Sequence, residues 1–127
     1  MSSSPGAGVL RRHDGHPFAQ LGVLVWDDLH QLGMLVFDAE APHEGRGRGV
    51  SLLLSESGVM LGWILADESQ IDQDTPGGRQ GRTSVTILTG ALSSVLLALG
   101  YRVRVEYMDG AIPAPYLYVD GFTARPN

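Results

Sequence analysis

The sequence contains no cysteine, which excludes a disulfide scaffold, a thiolate zinc site, an iron–sulfur cluster and a cysteine nucleophile. It contains no lysine either: all nine basic residues are arginines, set against fourteen acids. Without lysine there is no amine nucleophile, no Schiff base and no anchor for pyridoxal phosphate, and no cofactor is expected. Every fixed cation is instead a guanidinium, planar and suited to bidentate contact with carboxylate or phosphate. Positive charge is scarce overall. A net charge of −5 and a pI near 5.1 argue against nucleic acid and anionic membrane as default partners, because both are held by summed positive charge. Arginine-only usage with 17 glycines fits a GC-rich, bacterial coding sequence.

What is present is a modest apolar core. Of 127 residues, 43% are apolar, and a chain of this size buries about two-thirds of its unfolded surface. One α+β domain over residues 16–127 is expected, behind a disordered tail at 1–15 and with a flexible loop at 67–82. The tail carries serines, glycines and the run Arg11-Arg12-His13-Asp14. Its basic pair follows a Gly/Ser segment instead of preceding an apolar one, so it lacks the order of a secretory signal and a cytoplasmic location is expected.

Residues 21–27, Leu-Gly-Val-Leu-Val-Trp-Asp, are echoed at 32–38 by Leu-Gly-Met-Leu-Val-Phe-Asp. Two structures fit. Phe18, Leu21, Val25, Leu29 and Leu32 have the spacing of an amphipathic helix behind Pro17; the same heptapeptides also read as two strands of a hairpin over 17–38. Val50–Leu54 and Val59–Leu65 flank Ser55-Glu56-Ser57-Gly58, a clear hairpin. Both of its strands are apolar on both faces, which calls for cover on each side. Val85, Leu88, Leu92, Val95, Leu96 and Leu99 form the stripe of one long buried helix over about 83–99, capped at Thr83 or Ser84 and closed by Gly100. The 19 residues between Arg82 and Arg102 carry no charge, yet six are Ser or Thr, and a helix laid on the sheet is expected over a membrane span. Val103–Tyr107 alternates as a half-exposed strand, and Tyr116–Val119 is another, giving a mainly antiparallel sheet of about five strands. This element order resembles that of small secretion-chaperone-like α+β domains, with no shared motif and therefore no residue carried over.

Several clusters invite a chemical reading. The glycine-rich run Gly77–Ser84 before the long helix would present free N–H groups and the positive end of the helix dipole, making Gly78, Arg79, Gly81, Arg82 and Thr83 anion-binding candidates. It departs from the nucleotide-binding loop, with Pro76 at the first glycine position and Arg82 at the lysine position. Asp67, Glu68, Asp72 and Asp74 lack the spacing of a calcium loop, and His13 and His16 stand on the expected tail; no metal is expected. His30 beside Asp27 and Asp28 has the residue types of an acid–base pair. The serines sit outside any Gly-x-Ser-x-Gly elbow. Trp26, Phe37, Trp63, Tyr107, Tyr116 and Tyr118, with Arg102 and Arg104, are candidates for a pocket or an interface.

One long helix and five strands have trouble hiding both sheet faces. The expectation is a small non-enzymatic protein-binding or accessory domain, a homo-oligomer associating through an apolar sheet face. The alternatives are a binder, or a cofactor-free enzyme, of a small anionic ligand held in an aromatic and arginine pocket, and nucleic-acid binding through an arginine face.

Overall fold

The computed structural model describes residues 7–8, 10, 13–40, 49–64, 76–107 and 115–123. Its elements are helix α1 (Ala19–Gln31), strands β1 (Val36–Asp38), β2 (Gly49–Ser55) and β3 (Gly58–Ile64), helix α2 (Pro76–Ala98), and strands β4 (Tyr101–Tyr107) and β5 (Pro115–Phe122). They form an α+β fold with one five-stranded sheet ordered β1-β2-β3-β5-β4. β1 runs parallel to β2 and the other pairings are antiparallel.

The near-repeat takes two different structures. Its first copy is helical and its second closes the helix and starts β1, so the hairpin alternative over 17–38 is not what forms. The helix stops at Gly33, which adopts φ +88° just past the helix end, where a left-handed residue costs glycine nothing. There the Gly33 amide donates to the His30 carbonyl at 2.9 Å and the Met34 amide to Leu29 at 3.0 Å, the paired bonds of a Schellman stop. Gly22, the equivalent glycine of the first copy, lies mid-helix against the sheet: a Cβ there would stand 2.8 Å from the Leu54 side chain and 3.3 Å from Leu10.

Helix α2 starts at Pro76, earlier than the stripe implied, with proline in the first turn where its missing N–H costs nothing. Residues 76–82 are thus helical instead of forming the end of a flexible loop. Three glycines in that stretch oppose helix by propensity, but extending a helix already nucleated by the apolar body orders one residue per bond gained. The expected loop over 67–75, with Asp67, Glu68, Asp72 and Asp74, lies outside the described residues. At its other end α2 stops at Gly100, φ +94°, and β4 follows at once.

Alternation along the strands sorts the sheet into two faces. Leu52 pairs with Leu61, Leu54 with Val59, Val59 with Val119 and Leu61 with Leu117; all are buried, and they form one core with Val25 and Leu29 of α1 and Leu92 and Leu96 of α2. Among the described residues, both helices therefore lie on one side of the sheet. Leu10 is also buried in this core, at 1% exposure, so the segment read as a tail reaches the interior. His13 adds a contact, its Nε2 lying 3.5 Å from the carboxylate of the buried Asp38. Tyr101, fully buried, stacks on Phe122 at 5.2 Å between centroids and donates its hydroxyl to the Asp28 carboxylate, tying β4 to α1.

Candidate functional site

The side of the sheet away from the helices is the surface the expectation pointed to, and register lets it be drawn row by row. In the central row Leu53 faces Met60, Met60 faces Tyr118 and Tyr118 faces Arg104. The Arg104 guanidinium lies over the Tyr118 ring, 4.9 Å from its centroid, within range of a cation–π attraction. In the next row Phe37 pairs with Ser51, Ser51 with Gly62, and Glu106 with Tyr116. Gly62 is required there: a Cβ would stand 2.9 Å from the Tyr116 ring, so that ring lies down across the bare strand. Leu53, Met60, Phe37, Tyr116 and Tyr118 are all half-buried and stand outside the core cluster. The face is aromatic and apolar at its centre and interrupted by Ser51, Ser55 and Gly62.

Charge collects at one margin, on β4 and β5, and is largely balanced there. Arg102 Nε donates to Asp120 at 2.7 Å, Arg104 bonds Glu106, and a second Arg104 nitrogen lies 3.4 Å from Asp120. The hydrogen bond from Arg102 holds the Asp120 carboxyl below its ordinary 3.8, outweighing the opposing effect of burial, and the charges of Arg102 and Arg104 lower it further. Because the folded pKa is depressed, the pair stabilises fully above the unfolded value and fades as pH falls through the folded one. The groups are exposed, so the worth is at most about 1 kcal/mol. Asp120→Asn is expected to lose that increment at about pH 6 and to converge on wild-type stability in acid below 3.8, as urea titrations at a series of pH values would show.

The aromatic and arginine candidates do not form one pocket. Phe37, Tyr116, Tyr118, Arg102 and Arg104 share the face of the sheet away from the helices. Trp26 is buried on α1 and Trp63 packs against the core from β3. Tyr107 pairs with Pro115 on the helix side of the sheet and is 61% exposed. Of the anion-binding candidates, Gly78, Arg79, Gly81, Arg82 and Thr83 lie within α2, not in a loop ahead of it, so the N–H groups of the later ones face the preceding turn. The side chains of Arg79 and Arg82 lie outside the described residues. Asp28, a candidate for acid–base work, instead accepts the Tyr101 hydroxyl, while His30 is exposed on α1.

Sequence reasoning singled out Tyr107 but missed the other large exposed apolar groups among the described residues: Leu24, Leu32 and Leu35 on and after α1, Ile87 and Leu97 on α2, and Val105 on β4. The signal was available in α2, where the uncharged stretch is longer than one buried stripe needs. Among the described residues no three His, Asp or Glu side chains gather into a metal site, and no helix is long and apolar enough to cross a membrane. Compared with protein-family models, curated proteins and solved structures, the chain gives no match.

Proposed function

We propose that this chain is a small non-enzymatic protein-binding domain whose open sheet face takes an uncharged, apolar or aromatic segment of another protein. The observation that carries the reading is the cross-strand row Leu53, Met60 and Tyr118, flanked by Phe37 and Tyr116, on the face that neither helix covers. Aromatic side chains on a surface supply contact area at low entropic cost, a thioether adapts to irregular partners, and both are enriched in protein interfaces. Tyrosine adds a hydroxyl that can satisfy backbone groups of the segment. Of the arginines the rival readings, an anionic ligand or nucleic acid, lean on, Arg102 and Arg104 are already engaged by Asp120 and Glu106, and the side chains of Arg79 and Arg82 lie outside the described residues.

The test is to pan a random peptide library against the immobilised full chain and map the selected peptides by amide chemical shifts. Peptides rich in apolar and aromatic residues are expected to perturb Leu53, Met60 and Tyr118. Met60→Glu is expected to weaken them at least about tenfold, without changing the circular dichroism spectrum. Peptides that map elsewhere, or that bind Met60→Glu as well as wild type, sink the reading.

A further inference from the structure

Helix α2 has a second face that the fold does not use. Its core side is Val85, Leu92 and Leu96, all buried. On its back Thr83, Ile87, Gly90, Ser94 and Leu97 are exposed, Ile87 at 65% and Leu97 at 51%. These positions are spaced by four, three, four and three residues, the alternation that keeps a seam straight along two packed helices. We propose that this seam joins two copies of the chain, with their α2 helices packed antiparallel about a two-fold axis.

Three observations select a second copy as the occupant. The order from Ile87 to Leu97 is large, small, small, large, at intervals of three, four and three, and so reads alike in both directions. A two-fold partner lays Ile87 against Leu97 of the second copy and Gly90 against its Ser94, which is the self-complementarity an isologous interface demands. Space agrees: nothing lies within 4 Å of a Cβ built on Gly90, so the backbones can approach closely at the centre. Charge agrees as well. Each copy carries −5, and residues 83–101 carry no charge, so two copies meet along this strip without opposing like charges.

Burial of the seam also strands no hydroxyl at its centre, because Ser94 Oγ already donates to the Gly90 carbonyl at 3.2 Å. At about 20 Å by 10 Å the seam alone is a fraction of the roughly 800 Å² per partner of a standard interface. Val105 and Tyr107, 48% and 61% exposed on the helix side of edge strand β4, add further apolar surface on the same side of the sheet. The seam lies on the opposite side of the sheet from the proposed docking face, so a dimer leaves both docking faces open and the two readings stand or fall separately.

Sedimentation equilibrium of the full chain over a concentration series is expected to show a species of twice 13.6 kDa. Ile87→Glu combined with Leu97→Glu is expected to raise the dissociation constant at least about tenfold, with an unchanged circular dichroism spectrum, while Met60→Glu leaves it alone. The cysteine-free background permits a second measurement. Mixed Ile87→Cys and Leu97→Cys chains are expected to cross-link to each other in preference to themselves. A monomer at every concentration, a dimer indifferent to the double substitution, or cross-linking only between like positions overturns the proposal.

Discussion

Replacing Leu61 by alanine is expected to destabilise the chain by about 3 kcal/mol, whereas replacing its neighbour Met60 by alanine costs less than about 1 kcal/mol. The two residues are adjacent on β3 and differ only in the face they serve. Leu61 has no exposed surface and sits at the crossing of the core, paired with Leu52 on one side and Leu117 on the other. Truncating it removes methyl groups from water-free contact and leaves a cavity that the surrounding strands cannot close, since their hydrogen-bonded register holds them apart. Met60 points to the face away from the helices and is only half-buried, so its truncation opens no closed cavity. Thermal denaturation would read the first as a drop of roughly 10 °C and the second as a shift near the error of the measurement. Equal effects would mean that the second face of the sheet is covered, and the docking reading would lose its surface.

The α+β class, the hairpin from β2 to β3 and the helix stop at Gly100 were legible because each has a local cause: periodicity, the turn residues Ser55-Glu56-Ser57-Gly58, a glycine that closes the apolar stripe. The near-repeat was not, since Leu-Gly-x-Leu-Val carries no information on whether its glycine will sit inside a helix, as Gly22 does, or end one, as Gly33 does. That choice depends on whether the next residues find a strand to pair with, here Val36 against Val50. The start of α2 was misread for the opposite reason, that glycine propensity is a local penalty and helix extension a cooperative gain. Of the site, the individual aromatics were visible but their division between faces was not. Tyr116 and Tyr107 look alike as letters, and only the register of β5 against β4 puts them on opposite sides of the sheet.

Leu10→Ala is expected to cost about 2.5 kcal/mol, an effect that composition alone would never assign to a residue in a Ser/Gly-rich leader. Leu10 is 1% exposed and belongs to the core cluster. Its δ-methyl lies where a Cβ on Gly22 would come within 3.3 Å, so it fills the notch that this glycine opens between α1 and β2. Removing it leaves Gly22 and Leu54 facing the space the leucine filled. Leu24, on α1 and 45% exposed, supplies the control: its truncation is expected to change stability by less than about 0.5 kcal/mol. Urea denaturation of the two variants side by side would check this. A loss at Leu10 no larger than that at Leu24 would show that the segment is not anchored, and that α1 meets the sheet without it. The expected difference instead makes this leucine the peg that holds α1 in register over β2, with the His13 contact to Asp38 securing the same segment one turn further on.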